Sequence, residues 1–126
     1  MGKTINSRLK GHSYELSVAK LFREELGYSS CVSSRSESKR LDALKVDLCY
    51  TAPFFIQCKA VEKLGCVHDI LASMPKTRSS DKGFLKGYNY NVVFHKKNRK
   101  GSIVCMTMED FIDIVKSMIE HGAIKP

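Results

Sequence analysis

The segment Val46–Ala60, VDLCYTAPFFIQCKA, limits the possible folds more than any other part of the chain. Two apolar runs, rich in β-branched and aromatic residues, flank a short Thr-Ala-Pro connection, and this pattern predicts a β-hairpin. Successive side chains of a strand point to opposite faces, so Gln57 and Lys59 share one face. A connection symmetric about Ala52 would pair Asp47 with Gln57 and bring the three polar side chains together. A slip of one residue would separate them.

An aspartate, an amide and a lysine in one patch suit a divalent-metal site for phosphodiester hydrolysis. Magnesium prefers oxygen ligands and keeps several waters, so Asp47 and the side-chain carbonyl of Gln57 can both ligate it. Lys59 has the wrong charge for a ligand, but its ammonium can hold the attacking water and offset the charge that develops at phosphorus. The alternative is an exposed polar face on an edge hairpin, with no chemical role.

An acidic residue begins the buried face of the first predicted helix. Within Ser13–Leu26 the apolar positions follow the spacing of one helix face, and Gly27 provides a stop. These positions are Val18, Ala19, Phe22 and Leu26. One turn earlier the same stripe reaches Glu15. An acid in a first turn also complements the helix dipole, but a core-facing acid requires a partner.

The rest of the chain alternates short strands with helices. YSSCVSS predicts a short strand, RSESKRLDALK a mobile loop, and CVHDILASM a short helix that Pro75 ends. YNVVFH and SIVCMT predict a second hairpin, joined by the basic turn KKNRKG. Thr107 and Asp110 resemble a capping box at the start of an amphipathic helix that Gly122 ends.

These elements predict one domain over residues 1–126, with a mixed central β-sheet flanked by helices. We expect the loop 34–45 and the segment 75–90 to be mobile. No apolar run reaches the roughly 18 residues needed to cross a bilayer, so we expect an intracellular, cytoplasmic protein. Five cysteines without a CxxC pair are typical of free thiols in a reduced compartment. A zinc site built on Cys66 and His68 would match no known finger or ribbon spacing.

The net charge of +8 favours a polyanionic partner, with nucleic acid first and an acidic protein or membrane surface second. Nearly all of the excess positive charge lies in the stretch 76–100, which has eight Lys or Arg residues against the single acid Asp81. The residues predicted to contact DNA are Arg35, Ser36, Ser38, Lys39, Arg40, Lys76, Arg78, Lys82, Lys96, Lys97, Arg99 and Lys100.

The order of these features resembles the PD-(D/E)XK nuclease superfamily: an acid on the first helix, an aspartate on one strand and Gln-Cys-Lys on the next. Within it, KGHSYELSVAKLFREELGY, VDL, IQCKA, NVVFHKKN and MEDFIDIV are similar to archaeal-type and phage Holliday-junction resolvases. The resemblance implies a restriction-endonuclease-like fold. It also implies that Glu15, Asp47, Gln57 and Lys59 are catalytic, and that the first three and the main-chain carbonyl of Cys58 bind Mg²⁺, which Mn²⁺ can replace.

The same resemblance implies a homodimer that binds branched DNA and cuts four-way junctions, with a role in DNA recombination and repair. Resolvases use a serine of the mobile loop, and Ser33, Ser34, Ser36 and Ser38 are all candidates. Asp42 is a weaker rival of Asp47 for the metal aspartate. Three other functions stay open: another nicking or restriction-type nuclease, a catalytically weak nuclease-fold DNA-binding protein, and a small basic RNA-binding protein.

Overall fold

The structure is a computed structural model that describes residues 7–76 and 90–126 of the chain. Its helices are α1 (Ser7–Leu26), α2 (Ser34–Glu37), α3 (Lys39–Ala43), α4 (Val67–Ser73) and α5 (Met108–Glu120). Its strands are β1 (Val32–Ser33), β2 (Leu48–Cys49), β3 (Phe54–Lys59), β4 (Tyr90–Lys97) and β5 (Gly101–Cys105). The predicted mixed α/β class is confirmed. Among the described helices, none has both the length and the apolar character needed to cross a membrane.

The strands of the described residues form two small sheets rather than the single sheet that the sequence predicts. In the larger sheet β4 is the central strand, with β3 parallel on one side and β5 antiparallel on the other. Gln57 pairs with Val93 and Lys59 with His95. β1 and β2 form a separate antiparallel pair. The predicted β4–β5 hairpin is confirmed, while the predicted β2–β3 hairpin is not.

A single aspartate explains why β2 and β3 do not form a regular ladder. The Asp47 N–H donates to the Ile56 carbonyl oxygen at 2.8 Å, one residue short of the predicted pairing with Gln57. The next main-chain donor of β3 on the side of β2 is the Cys58 N–H. It bonds to the Asp47 carboxylate oxygen Oδ2 at 2.7 Å instead of to a main-chain carbonyl. A side chain therefore takes the place of a main-chain acceptor, and the two strands part at this point.

The apolar core lies on both faces of β3. Ile56 and Cys58 pack under α1, where Val18 and Phe22 are buried as the helical spacing predicts. The opposite face holds Phe55, with residues of β4 and α4 around it. The end of the predicted α1 stripe is wrong, because Leu26 is 55% exposed at the last residue of the helix. The helix also begins at Ser7, six residues earlier than predicted.

The Ser/Arg loop is folded where the sequence predicts irregular chain. Ser33 and Ser38 are the N-caps of α2 and α3, and their hydroxyl oxygens accept from the N–H groups of Arg35 and Leu41. Capping serines of this kind stabilise helix starts that are too short to persist alone. Thr107 caps α5 in the predicted way, by accepting from the Asp110 N–H. Most of the predicted mobile segment 75–90 lies outside the described residues.

Candidate metal centre between β2 and β3

The carboxylate of Asp47 is positioned by the main chain on both sides of it. The Ser34 N–H donates to the Asp47 carbonyl oxygen at 2.8 Å, and the Asp47 N–H donates to Ile56. The Cys58 N–H then holds carboxylate Oδ2 at 2.7 Å. Because the partners on both sides are backbone groups of ordered elements, the carboxylate has one preferred place at the point where β2 and β3 separate.

The surroundings of this carboxylate disfavour its charged form. Burial raises the pKa of Asp47 from 3.8 to about 6, and the hydrogen bond from Cys58 only partly offsets that effect. The negative charges of Glu15 and Asp42 raise the pKa further, whereas Lys59 lowers it. Ionised Asp47 therefore lacks compensating positive charge, and a bound cation would supply it.

Glu15 is buried beside this site, as the helical spacing predicts. It is 2% exposed, and its two carboxylate oxygens have different partners. The Ser33 hydroxyl donates to Oε1 at 3.3 Å, and the Arg35 guanidinium pairs with Oε2 at 3.0 Å. The ring Nδ1 of His12 lies 3.7 Å from Oε1. Arg35, which the sequence predicts as a DNA contact, therefore neutralises Glu15 in this structure.

The side-chain oxygen of Gln57 is the atom of this site that bears most directly on metal binding. The residue is 5% exposed, and its side-chain oxygen Oε1 is buried with no hydrogen-bond partner among residues 7–76 and 90–126. Burying an unsatisfied polar atom costs about 1–3 kcal/mol. Such an atom is usually satisfied by a group outside the described residues, and a cation is one partner that suits an amide oxygen.

Lys59 and the main-chain carbonyl of Cys58 are the remaining groups of the predicted metal site. Lys59 is partly buried at the end of β3, and its charge acts on Asp47. Strand alternation places its side chain on the same face as Gln57. In an extended strand the N–H and C=O of one residue point to the same edge, so the Cys58 carbonyl faces β2 and Asp47. Its predicted role as a ligand is compatible with this direction.

By the chemistry of their donor atoms, the predicted ligands suit magnesium better than zinc. Two carboxylates, one amide oxygen and one main-chain carbonyl are hard oxygen ligands. The described residues contain no group of three or more His, Cys, Asp or Glu side chains placed to hold a metal ion. Cys66, the starting point of the zinc alternative, is exposed. The oxygen set therefore favours an ion that keeps part of its water shell.

The loop serines differ in their positions relative to the site. Ser33 donates to Glu15, and the hydroxyl of Ser34 is buried without a partner in the described part of the chain. Ser38 serves as a helix cap. The side chain of Ser36 lies outside the described part of the structure. Asp42 is exposed on α3 and acts on Asp47 only as a nearby charge, so it stays the weaker metal candidate.

Most of the basic residues that the sequence predicts as DNA contacts are exposed. Four of them lie exposed on the β4–β5 turn or beside it, namely Lys96, Lys97, Arg99 and Lys100. Lys39, Arg40 and Lys76 are also exposed, whereas Arg78 and Lys82 lie outside the described residues. A groove of about 220 Å³ runs between α1 and this turn and is lined by Lys10, Ser13, Tyr14, Ser17, Ala60, Lys96 and Asn98.

The sequence interpretation missed the α1 side of this groove. Lys10, Ser13, Tyr14 and Ser17 stand at the spacing of one helix face, so a polar stripe along the helix was the available signal. The groove contains two ammonium groups and no carboxylate among its lining residues. Its chemistry suits an anion such as a phosphate.

Comparison with known proteins gives no match: no family model, no curated protein and no solved structure is significantly similar to this chain.

Replacing Gln57 with Glu tests the metal centre directly. A third carboxylate beside Glu15 and Asp47 adds repulsion to the metal-free protein and attraction for a cation. We expect Gln57→Glu to bind Mn²⁺ about tenfold more tightly or better in calorimetry, and to be less stable than wild type in EDTA. Unchanged or weaker metal binding would remove Gln57 from the ligand set.

Proposed function

We propose that this chain is a metal-dependent, structure-selective DNA endonuclease with a restriction-endonuclease-like fold, which resolves four-way DNA junctions. The observation that carries the proposal is the unpartnered buried oxygen of Gln57, which lies on the strand next to the main-chain-held carboxylate of Asp47. The charges of Glu15 on α1 and of Lys59 at the end of β3 both act on the Asp47 carboxylate.

Each residue has a distinct part in the proposed reaction. Asp47, Gln57 and the Cys58 carbonyl would hold Mg²⁺, with Glu15 binding it directly or through a water. When bound, the ion would supply a water of lowered pKa and offset charge on the phosphate. Lys59 would hold the attacking water and offset the negative charge that grows on the phosphate oxygens during the displacement. Buried surroundings make each of these interactions stronger than in bulk water.

DNA would be held by phosphate contacts rather than by base contacts. The groove beside α1 and the basic β4–β5 turn are both continuous with the end of β3. Lysine and arginine contacts of this kind fix the register of a duplex without reading its sequence, and affinity should fall steeply with salt. Two symmetric cuts across a four-way junction require two active sites related by a twofold axis, so the proposal includes a homodimer.

We expect the removal of Arg35 to change metal binding even when no DNA is present. Its guanidinium bonds to Glu15, so it would compete with a cation for the same carboxylate. We expect Arg35→Ala to tighten Mn²⁺ binding severalfold in calorimetry without DNA, whereas Arg40→Ala leaves it unchanged. Weaker metal binding in Arg35→Ala would mean that the arginine orders the site instead of competing for it.

A second candidate function is favoured by the same ion pair. With Glu15 neutralised by Arg35 and a neutral glutamine at position 57, the chain also suits a nuclease-fold protein that binds branched DNA without cutting it. This candidate predicts tight junction binding and no cleavage in either Mg²⁺ or Mn²⁺.

Cleavage of a labelled synthetic four-way junction distinguishes the candidates. The full chain is incubated with Mg²⁺, with Mn²⁺ or with EDTA, beside a flap and a linear duplex of the same sequence. The proposal expects paired, symmetric nicks on the junction that EDTA abolishes. Cutting of the flap or the linear duplex would indicate another nuclease of the same class. Binding without cutting would establish the second candidate, and a preference for RNA would exclude both.

A further inference from the structure

The groove between α1 and the β4–β5 turn brings together two lysines that are far apart in the sequence. Lys10 lies on α1 and Lys96 lies near the end of β4, and both line the groove of about 220 Å³. Among the described residues, neither ammonium forms an ion pair with a carboxylate. Two like charges held near each other cost free energy unless an anion accompanies them. The groove is therefore prepared electrostatically for an anion.

Hydrogen bonds between distant parts of the chain hold the walls of this groove in place. The buried Tyr14 hydroxyl donates to the Ser102 hydroxyl oxygen at 3.0 Å and so joins α1 to β5. On β4 the ring nitrogen Nε2 of His95 donates to the Val61 carbonyl oxygen at 2.7 Å, which keeps the chain after Ala60 beside β4. A site with walls fixed before binding loses less conformational entropy when its ligand enters.

The size and the lining of the groove suit a phosphate group rather than a nucleobase. Pockets that enclose drug-sized ligands measure about 300–1,000 Å³, so a groove of about 220 Å³ is too small for a whole nucleotide. The aromatic side chain in its lining, Tyr14, is 6% exposed and offers no free ring face for stacking. The ammonium, hydroxyl and amide groups of the lining can all donate hydrogen bonds to phosphate oxygens.

The groove is separate from the candidate metal centre, although both lie near the end of β3. Ala60 lines the groove and packs with the core under α1. Lys59 directly precedes it, and strand alternation puts the Lys59 side chain on the opposite face. None of the predicted metal ligands lines the groove. A phosphate in the groove is therefore not the phosphate at the metal centre, and it needs no metal ion in order to bind.

We infer that this groove is a phosphate-binding subsite, which works without metal and holds a backbone phosphate of the DNA other than the one that is cut. By fixing that phosphate between α1 and the β4–β5 turn, the subsite would set where the strand reaches the metal centre. The assignment to DNA rests on the proposed function. The binding of phosphate itself follows from the charge, size and lining of the groove, so it is tested first without DNA and without metal.

Heteronuclear NMR of the full chain, titrated with inorganic phosphate in EDTA at constant ionic strength, tests the subsite. We expect the amide signals of Ser13 and Asn98 to shift and to saturate at roughly millimolar phosphate. Lys10→Met and Lys96→Met should each weaken this binding about tenfold, because each removes a charged hydrogen-bond donor. Lys20→Met removes an equal charge from an exposed position of α1 and should bind phosphate like wild type.

Glu62 allows a test in the opposite direction. Its carboxylate oxygen Oε2 accepts from the N–H of Asn98, which lines the groove, at 2.8 Å. Glu62→Gln keeps an acceptor for this bond and removes a negative charge beside the groove, so it should tighten phosphate binding severalfold. Shifts that grow with phosphate without saturating would overturn the inference. Saturating shifts that are the same in Lys10→Met, Lys96→Met and Glu62→Gln as in wild type would also overturn it.

Binding of a four-way junction in EDTA shows whether DNA uses the subsite. Each phosphate contact contributes about 0.9 to the slope of log affinity against log salt concentration for duplex DNA. We expect Lys10→Met to reduce this slope by about one and Lys20→Met to leave it unchanged. An unchanged slope in Lys10→Met would overturn the assignment to DNA. If the subsite binds phosphate and DNA but the chain never cuts junctions, the proposed endonuclease is refuted and the subsite stands.

Discussion

Asp47→Asn is expected to abolish junction cleavage and at the same time to stabilise the metal-free protein. Loss of a ligand carboxylate removes several kcal/mol of transition-state stabilisation, which corresponds to roughly a 10³-fold slower reaction. Junction binding should persist or strengthen, because a negative charge near phosphate is removed. Single-turnover cleavage and electrophoretic binding of the same junction measure the two effects separately.

The gain in stability follows from the pKa of Asp47, which burial raises from 3.8 to about 6. Below about pH 4 the group is protonated in both the folded and the unfolded chain and has no effect. Between about pH 4 and 6 the unfolded chain releases the proton first, so stability falls as pH rises, and above about pH 6 the full loss remains. A shift of about two units corresponds to roughly 3 kcal/mol.

Urea unfolding in EDTA should therefore show wild type losing up to roughly 3 kcal/mol between about pH 4 and 6, a loss that Asp47→Asn does not share. Asp42→Asn is the matched control, because it removes the same charge from an exposed position on α3. It should retain cleavage and the loss of stability with rising pH, with the pKa of Asp47 lowered only slightly by removal of the Asp42 charge. Cleavage retained by Asp47→Asn but lost in Asp42→Asn would transfer the metal site to the rival aspartate.

Lys59→Met is expected to slow cleavage by about 10²–10⁴-fold while metal binding is retained. Methionine keeps the length of the side chain and removes the charge that would hold the attacking water. Because Lys59 lowers the pKa of Asp47, the variant should also raise that pKa further. Calorimetry with Mn²⁺ and single-turnover cleavage distinguish a catalytic role from a ligand role.

Lys63→Met provides the control for this variant, because it removes an equal charge at an exposed position four residues along the chain. It should cut and bind metal like wild type. Loss of metal binding in Lys59→Met would show that the lysine organises the ligands. Unimpaired cleavage would show that the ammonium has no part in the reaction.

Local patterns predicted most of the elements of this fold. Helical spacing located α1, capping chemistry located α5, and alternation located β3, β4 and β5, because each of these signals arises within a few residues. The pairing of β2 was not predictable in this way. The hairpin prediction assumed that every donor of β3 bonds to backbone, whereas the Cys58 N–H bonds to a carboxylate. Whether a main-chain N–H bonds to a side chain or to a main-chain carbonyl depends on which groups the folded chain brings near it.

The sequence predicted which residues form the candidate site, but it did not predict which groups these residues contact. Burial of Glu15 followed from its place on the helical stripe. Its ion pair with Arg35 did not, since that contact requires α2 to form and to bring Arg35 within reach of α1, which the composition of the loop did not indicate. The polar groove along α1 was also missed, because a stripe of lysine and hydroxyl side chains has the same composition as an ordinary solvated face.

The hydrogen bond from the Cys58 N–H to Asp47 determines which positions of the site can vary. The Cys58 side chain is buried on the α1 face of β3, while its N–H and carbonyl point to the β2 edge. The site thus uses only the backbone of this residue. A residue of similar size, such as alanine or valine, could replace the cysteine without moving the carboxylate. The middle position of the Gln-Cys-Lys triplet is therefore free to follow the packing of the core while its neighbours are constrained by chemistry.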